Sequence, residues 1–425
     1  MTTDSALRPD AAVAAIPTIT CRLCGSTQLR SFLDLGATPP CELFLTAAAA
    51  EAPEPTYPLH VRVCERCLLA QLPPLITPEE TFTEYAYFSS FSTSWVEHAR
   101  RFVDGAVARL GLDEDSLVVE VASNDGYLLQ HVVARWIRCL GIEPSVNVGE
   151  AARAKGVPTL TAFLTPQTGA RVRAEHGPAD LVCLNNVYAH IPDVVGFTEG
   201  LRALVADDGW VSIEVQHLLT LVQRTQFDTV YHEHFQYYTL LTAQRALASG
   251  GLTVVDVELL PTHGGSIRIW ARPDAVAGEP SQAVRDVLGA EEKAGLHTAA
   301  GHDGFAEAVS RVRDDLVAFL IQARRAGKKV VGYGAPGKGN TLLNYCGIRP
   351  DLLAYTVDRN PYKHGRFTPG TRIPVLAPER IAEDKPDYVL VLPWNLRDEL
   401  IEQLSYVREW GGELVFPIPA LEVVG

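Results

Sequence analysis

The sequence predicts an α/β protein made of a small metal-binding module at the N-terminus and two Rossmann-like units. Two Cys-x-x-Cys pairs, at Cys21 and Cys24 and at Cys64 and Cys67, mark the module. Residues 116–121 form a continuous β-branched run that ends in a polar, glycine-containing turn before an apolar helix begins. This strand–turn–helix order is typical of a doubly wound sheet. Residues 328–341 repeat the order around a second glycine-rich turn.

Bulk composition is that of a soluble globular chain. Its 425 residues suffice for two or three domains with their own cores. The net charge of −14 argues against a nucleic-acid partner, because such proteins usually carry a basic surface. No apolar run reaches the roughly 18 residues that indicate a membrane span, so we expect no membrane partner. Residues 1–18 lack a basic start and a long apolar stretch, so they are expected to be a disordered tail of a cytoplasmic protein.

The four paired cysteines predict a structural zinc site. Each pair places two thiolates on one tight turn, and four sulfurs complete a tetrahedral Zn²⁺ shell with no open position. The long gap of residues 25–63 keeps free thiols or a redox pair as alternatives. Cys41 lies in that gap and could compete as a ligand, although a buried spare thiol is expected. Residues 19–85 are assigned to this zinc-binding module.

Residues 86–278 are predicted to bind a nucleotide-like cofactor. The turn after residues 116–121 has no lysine and contains Asp125, which suits the sulfonium and amino acid tail of S-adenosylmethionine better than the phosphates of NAD. Glu143 ends the next strand, where a carboxylate would accept ribose hydroxyls. The residues expected to hold the cofactor at this sheet edge are Glu120, Ser123, Asn124, Asp125, Gly126, Tyr127, Glu143, Pro144, Asn185 and Asn186.

Residues 231–234, Tyr-His-Glu-His, concentrate proton-transfer groups more densely than any other stretch. A solvated loop or a second metal site is the alternative to a catalytic role. Neighbouring side chains on a strand point to opposite faces, so Glu233 and His234 can act together only on a turn. His232 is expected to point away from the cleft. His190 follows another strand and should face the same cleft, unless it is a core histidine.

Residues 82–92 interleave aromatic and hydroxyl side chains. The functional interpretation is a substrate wall, in which Tyr87 supplies a hydroxyl while Ser89 and Ser90 donate to a phosphate. The alternative is a loop packed under the zinc module.

Residues 279–425 are predicted to be a helical linker followed by a second Rossmann-like domain. Gly332, Gly334 and Gly337 match the dinucleotide fingerprint, and Asp358 ends the next strand. The turn could bind NAD(P), or it could receive a substrate diphosphate on backbone amides, Lys338, Asn340 and Arg366. A purely structural domain is the third possibility.

These motifs together resemble the nucleotide-sugar C-methyltransferases of deoxysugar biosynthesis. The resemblance runs from Cys21 nearly to the C-terminus. It is carried by the cysteine pairs, SNDGYLL at 123–129, GIEP at 141–144, FDTVYHEH at 227–234, GGS at 264–266 and GYGAPGKGN at 332–340. That family methylates a carbon next to the 4-keto group of a dTDP-linked 6-deoxyhexose. The resemblance implies that His234 is the base, that Tyr231 and Glu233 are its neighbours, and that Tyr87 and His190 approach the sugar.

The expected reaction is therefore C-methylation at C3 or C5 of such a sugar through an enolate. Imidazole, with an ordinary pKa of about 6.5, suits removal of the acidic proton. Tyr231, Tyr87 or a protonated His190 could donate to the enolate oxygen. One alternative is a bifunctional enzyme that also reduces the ketone with NADPH, and another is a non-catalytic protein that binds cofactor or nucleotide sugar. The sequence leaves the oligomeric state open, and a monomer is compatible with it.

Overall fold

A computed structural model describes residues 19–76 and 88–425, which form three β-sheets. The expected disordered tail, residues 1–18, and the proposed substrate residue Tyr87 lie outside the described residues. Within the described ranges, no helix is both long and apolar enough to cross a membrane.

The N-terminal module is a four-stranded antiparallel sheet. Its strands are β1 (Leu29–Thr38), β2 (Tyr57–Cys64), β3 (Ala70–Gln71) and β9 (Gln236–Tyr237), in that order across the sheet, with helix α1 (Ala47–Ala50) after β1. Strand β9 comes from the middle of the chain, directly after the Tyr-His-Glu-His segment, and pairs with β3. Sequence analysis missed β9, because a two-residue strand has no periodicity to detect.

The middle of the chain forms the predicted doubly wound sheet. Its order is β10-β11-β8-β7-β4-β5-β6, parallel from β6 to β8 and closed by the antiparallel pair β11 and β10. The strands are β4 (Leu117–Val121), β5 (Arg138–Glu143), β6 (Thr159–Thr161), β7 (Ala179–Asn185), β8 (Val205–Gln216), β10 (Leu252–Leu260) and β11 (Ser266–Pro273). The helices are α2 (Thr93–Leu110), α3 (Leu129–Val133), α4 (Val146–Ala154), α5 (Pro166–His176), α6 (Val194–Leu204), α7 (Leu218–Gln223) and α8 (Leu240–Ala248).

Strand β4 shows why the unbroken apolar run predicted a central strand. All five of its residues are buried, as expected of a parallel strand covered on both faces by helices. Helix α2 packs over this region; it begins where the Ser92 side chain accepts from Trp95 N and ends at Gly111, which has a φ of 68°. A cap oxygen and a left-handed glycine are the usual start and end of a helix.

The C-terminal third forms a second Rossmann-like sheet in the order β14-β13-β12-β15-β16-β17, with only β17 antiparallel to its neighbour among the described pairs. Its strands are β12 (Val330–Tyr333), β13 (Thr356–Val357), β14 (Val375–Leu376), β15 (Tyr388–Val391), β16 (Glu413–Phe416) and β17 (Glu422–Val424). The predicted linker is helices α9 (Gln282–Lys293) and α10 (Phe305–Arg325); helices α11 (Gly337–Tyr345), α12 (Arg380–Asp384) and α13 (Arg397–Gln403) follow.

One hydrophobic core joins the N-terminal module to the C-terminal domain. Leu33 and Val61 of the module, Phe227 of the segment before β9, and Leu316 and Leu342 of the C-terminal domain belong to one buried cluster. Fully burying such a side chain contributes about 1.5–3 kcal/mol, so the shared core strongly stabilises this arrangement. The segment from residue 227 to β9 is therefore packed between the N-terminal module and the C-terminal domain.

The four paired cysteines converge as predicted. All four sulfur atoms lie within 4.8 Å of one another, with Cys21 and Cys67 sulfurs 3.4 Å apart and those of Cys24 and Cys64 3.6 Å apart. With Zn–S bonds of about 2.3 Å, a tetrahedral ion needs sulfurs about 3.8 Å apart, so the donor set fits a structural zinc ion. Cys41 is not part of this group; its thiol is buried beside Glu233, as expected of a spare thiol.

The zinc knuckles also hold the middle domain. Arg22, between the first two cysteines, donates from its guanidinium to the Pro192 carbonyl at 2.8 Å. Arg245 of α8 donates to the Cys67 carbonyl at 2.8 Å. Zinc thus fixes the turn that leads into β3, and β3 in turn positions its partner strand β9.

Replacing Cys67 by alanine should remove the bound zinc and lower Tm by roughly 10 °C or more. A structural zinc site contributes several kcal/mol to folding, and each kcal/mol corresponds to about 2–4 °C in a domain of 150–250 residues. Metal analysis and thermal unfolding measure both effects. Cys139→Ala is the matched control and should keep one zinc per chain; a Cys67→Ala protein that also keeps its zinc would contradict the assignment.

Candidate active site

Two histidines meet beyond the carboxyl end of β7. The Gln236 side-chain amide donates to the carbonyls of Tyr188 and Ile191, at 2.7 and 2.9 Å. These bonds hold the Tyr-His-Glu-His segment against the turn that carries His190. The ring centroids of His190 and His234 are consequently 4.7 Å apart in an edge-to-face arrangement.

His234 is held in one tautomer. Its Nδ1 lies 2.9 Å from the Thr229 carbonyl oxygen, which can only accept a hydrogen bond, so Nδ1 carries the proton. The neutral ring then presents an unprotonated Nε2, as a base requires. The backbone N–H of His234 donates to the Tyr231 carbonyl at 3.0 Å. Residues 231–234 therefore form a turn, the condition under which Glu233 and His234 can act together. The Tyr231 ring packs on the imidazole, with centroids 3.9 Å apart.

Burial keeps both imidazoles neutral. It lowers the pKa of His234 well below 6.5, and nearby His190 lowers that pKa further. Burial also lowers the pKa of His190 to about 4, against a hydrogen bond with the Glu233 backbone that raises it. His190 is therefore neutral near pH 7, and the predicted role as a protonated donor is not supported. In this state it can donate only through its single ring N–H.

Glu233 lies in a different environment from its two histidine neighbours. Its carboxyl oxygen is 3.7 Å from the Cys41 sulfur. Burial raises the pKa of Glu233 to about 7, and the negative charge of Glu42 adds to the effect. Glu233 is thus partly protonated near neutral pH and can donate as well as accept. His232 lies 3.1 Å from the Tyr57 carbonyl of β2, away from His234, as predicted.

Ser89 and Ser90 close over the predicted cofactor turn. The Ser89 N–H donates to Asn124 Oδ1 at 2.8 Å, and the Ser90 hydroxyl donates to the Asp125 carboxylate. Lys155 Nζ donates to the same carboxylate at 2.8 Å, which balances its charge. The proposed phosphate donors therefore already support the cofactor turn, and residues 88–92 pack on that turn.

The cofactor turn combines backbone strain with unfilled polar atoms. Asn124 and Asn186 have φ of 49° and 57°, beside Gly126 at 77°. Positive φ at non-glycine residues is strained and clusters at functional sites. Among the described residues, Ser123 Oγ, Asn185 Oδ1 and Asn186 Nδ2 are buried without a hydrogen-bond partner. Such atoms fit a polar ligand bound at the sheet edge.

Two carboxyl groups lie behind this turn. Burial raises the pKa of Glu120 well above its ordinary value, while the Tyr127 hydroxyl opposes the shift. Glu143 accepts from the Asn124 N–H and from the N–H after Pro144, both at 2.9 Å. Each Glu143 oxygen retains a second lone pair, so this residue can brace the turn and still face ribose hydroxyls.

A buried ionic group at the same edge was missed by sequence analysis. Glu214 of β8 contacts His98 Nε2 and an Arg268 guanidinium nitrogen, each at 2.7 Å, and accepts from the Thr262 hydroxyl at 2.7 Å. Burial alone would raise the pKa of Glu214, but His98 and Arg268 hold it below its ordinary value, so it is ionised. A charged residue within the apolar run of β8 was the signal that could have found it.

Trp95 connects this ionic group to the cofactor turn. Its ring stacks on His98, with centroids 4.9 Å apart, and on Tyr127 at 6.0 Å. His263 meets the same indole edge-on at 5.1 Å. The group therefore forms one wall of the predicted cofactor site.

The glycine turn of the C-terminal domain is already occupied by groups of the chain. Glu42 of the N-terminal module accepts from the Gly337 N–H at 2.9 Å and lies 3.6 Å from Lys363 Nζ. Asp358 accepts from the Ala335 N–H at 2.7 Å. A dinucleotide would place its diphosphate at this helix N-terminus, where Glu42 already has the Gly337 amide as its partner.

The three predicted substrate ligands of this domain do not converge. Lys338 contacts Asn395 and lies 4.5 Å from the Trp394 ring, and its charge acts on Asp228, three residues before Tyr231. Asn340 is fully buried; its amide nitrogen donates to a carbonyl of the N-terminal module at 2.7 Å, and its Oδ1 has no hydrogen-bond partner among the described residues. Arg366 is exposed and donates to a carbonyl of its own loop.

Three family profiles match successive parts of the chain. A zinc binding domain profile matches residues 21–82, a methyltransferase domain profile matches residues 95–257, and the C-methyltransferase C-terminal domain profile matches residues 261–419. The last match begins within the hairpin of β10 and β11.

The chain is 37% identical over 404 residues to the C-methyltransferase NovU of Streptomyces niveus, a match that covers 95% of this chain and 96% of that protein. Among solved structures, a magnesium protoporphyrin IX methyltransferase from Synechocystis PCC 6803 with bound SAM is 17% identical, with coverage of 42% and 80% and a TM-score of 0.32. An S-adenosylmethionine-dependent methyltransferase from Clostridium acetobutylicum is 10% identical, with coverage of 42% and 92% and a TM-score of 0.33. The extended match to NovU is decisive: this chain belongs to the S-adenosylmethionine-dependent C-methyltransferase family.

Proposed function

We propose that the protein methylates a carbon next to the ketone of a dTDP-linked 4-keto-6-deoxyhexose, at C3 or C5, through an enolate. The observation that carries this proposal is the neutral His234, whose Nδ1 is held by a carbonyl while Nε2 remains unprotonated. Transfer of a methyl group to carbon requires a carbanion, and a C–H next to a ketone is acidic enough to supply one.

His234 removes the proton through Nε2. A positioned base of this kind contributes about 10²–10⁴-fold to the rate. The electron pair of the broken C–H bond is delocalised onto the carbonyl oxygen in the enolate. It then forms the new bond between the ring carbon and the methyl group. S-adenosylmethionine supplies the methyl group from a sulfonium, so the chain needs only to align the two partners in a site that excludes water.

Hydrogen-bond donors for the enolate oxygen come from groups around His234. The Tyr231 hydroxyl and the neutral His190 N–H are the first candidates, and Tyr87 remains a proposal from the sequence. Glu233, with its pKa raised to about 7, can donate to a sugar oxygen when protonated. A donor held near a developing oxyanion lowers its energy more in a dry site than in water.

The edge of the middle sheet is the proposed cofactor site. Ser123, Asn185 and Asn186 offer their unfilled polar atoms, and Glu143 faces the ribose hydroxyls. For the nucleotide sugar we retain Lys338, whose charge acts on Asp228 close to the Tyr-His-Glu-His segment. Ser89, Ser90 and Arg366 stay predictions from the sequence, because each has a hydrogen-bond partner within the chain. Asn340 stays a prediction from the sequence, because its amide nitrogen donates to the N-terminal module while its Oδ1 is buried without a hydrogen-bond partner among the described residues.

A ketone reductase activity is disfavoured. Glu42 already accepts from the Gly337 N–H at the helix N-terminus where NADPH would place its diphosphate. A purely binding function is disfavoured too, because the chain is 37% identical over 95% of its length to a C-methyltransferase.

His234→Asn should slow the exchange of one ring hydrogen of the keto sugar with D₂O by about 100-fold or more, since the base is lost while the shape is nearly kept. NMR of the sugar without cofactor measures this step. His176→Asn, at an exposed helix end, is the control and should exchange at the wild-type rate. Equal exchange in both variants would remove His234 from its role.

Incubation with ¹³C-methyl S-adenosylmethionine and a panel of dTDP-4-keto-6-deoxy sugars should place the label on ring carbon C3 or C5. Carbon NMR distinguishes these positions from a methyl group on oxygen. Label on oxygen would contradict the enolate route. In a parallel reaction, added NADPH should not be consumed; consumption would restore the reductase alternative.

The acid limb of kcat/KM against pH should lie below 6.5. The pKa of His234 is lowered, so its neutral, proton-accepting form persists to lower pH than that of an ordinary histidine. If protonated Glu233 donates to the sugar, activity should also fall above about pH 7 and Glu233→Gln should abolish that fall. An acid limb at 6.5 or above would contradict the buried, neutral base.

A further inference from the structure

A buried hydrogen bond connects the C-terminal domain to the segment that carries the proposed base. Trp394 Nε1, in the turn after β15, donates to Asp228 Oδ2 at 2.6 Å. Asp228 is 0% exposed and Trp394 is 7% exposed. Asp228 belongs to the one-turn 3₁₀ helix Phe227–Thr229, which is separated from the Tyr-His-Glu-His segment only by Val230.

Lys338 adds charge to this contact. Its ammonium lies 4.5 Å from the Trp394 ring centroid and contacts Asn395. Burial raises the pKa of Asp228 to about 6, although Lys338 and Trp394 oppose the rise. Burial lowers the pKa of Lys338 to about 8, and Asp228 opposes that change. Asp228 is therefore ionised near pH 7, and hydrogen bonds to a charged acceptor are roughly twice as strong as neutral ones.

One peptide unit transmits this contact to the base. Thr229 follows Asp228, and its carbonyl is the acceptor that holds the Nδ1 proton of His234. If the 3₁₀ turn shifted, that carbonyl would move away from the ring. The imidazole could then place its proton on Nε2, and the protonated Nε2 could not accept a proton from the sugar.

The glycine turn at residues 264–265 packs against the six-membered ring of the Trp394 indole. A Cβ on Gly264 would lie 2.8 Å from Trp394 Cη2 and 2.8 Å from Gln226 Nε2. Gln226 itself donates to the Gly264 carbonyl at 2.8 Å and accepts on its backbone carbonyl from the Thr229 hydroxyl at 2.7 Å. The indole is thus held in place by the middle domain, with its N–H directed at Asp228.

We propose that Trp394 and Asp228 are positioning residues of the methyl transfer, through which the C-terminal domain sets the tautomer and place of His234. The proposal rests on the proposed role of His234 as the base. Under this proposal the C-terminal domain helps to position the base, in addition to any contact that it makes with the nucleotide of the substrate.

Trp394→Phe tests the proposal because it removes the indole N–H and keeps an aromatic ring. We expect the D₂O exchange rate and kcat to fall about tenfold or more, with KM for S-adenosylmethionine changed less than twofold. Trp410→Phe is the matched control: its indole donates to Pro386 within the C-terminal domain, so its loss should leave both rates unchanged. Asp228→Asn keeps an oxygen acceptor for Trp394 and should lose less activity than Asp228→Ala.

The tautomer of His234 can be measured directly, and it should change only if Trp394 positions the imidazole and not if Trp394 merely stabilises the fold. In ¹⁵N-labelled protein, His234 should show a protonated Nδ1 and an unprotonated Nε2, and Trp394→Phe should shift its signals toward a mixture of tautomers. Unchanged tautomer and unchanged exchange in Trp394→Phe would overturn the proposal. If His234→Asn exchanges normally while Trp394→Phe still alters the tautomer, the base assignment fails and the positioning contact stands.

Discussion

The pairing of β9 with β3 is the constraint on which the rest of the structure depends. It joins a segment from the middle of the chain to the zinc module, with Ala70 opposite Tyr237 and Gln71 opposite Gln236. Zinc fixes the turns next to β3, so the metal helps to hold the Tyr-His-Glu-His segment without taking part in the proposed reaction. Gln236, one of the two residues of β9, also donates its side-chain amide to the turn that carries His190, and so holds the Tyr-His-Glu-His segment beside that turn.

Burial determines the protonation states of the side chains in the proposed active site. Desolvation disfavours the charged form of every ionisable group, so it lowers the pKa of the two imidazoles and raises that of Glu233. The result is a set of neutral groups in which each histidine can accept a proton and the carboxyl group can donate one. A neutral site of this kind would suit the proposed enolate beside a cationic cofactor, because both charges would then belong to the ligands.

The two Rossmann-like units use the same local pattern in different ways. In both, the acid that ends the second strand accepts from the backbone of the first turn, through Glu143 and Asp358. The middle unit leaves Ser123 and Asn185 with unfilled buried atoms, whereas the C-terminal unit receives Glu42 at its helix N-terminus. A glycine fingerprint therefore identifies the turn but not its occupant, since a carboxylate of the chain satisfies the same amides as a phosphate.

The sequence by itself determined the local features: the cysteine pairs, the buried strands β4, β7 and β12 with the turns after them, and the dense Tyr-His-Glu-His segment. These follow from side-chain chemistry and from periodicity over a few neighbouring residues. The tertiary structure decided which groups meet: His234 with the Thr229 carbonyl and His190, Glu42 with the Gly337 amide, Glu214 with His98 and Arg268, and Trp394 with Asp228. Apart from the Thr229 contact, these pairs are far apart in the chain. Their pairing depends on how the three sheets pack, and no local pattern in the sequence records that packing.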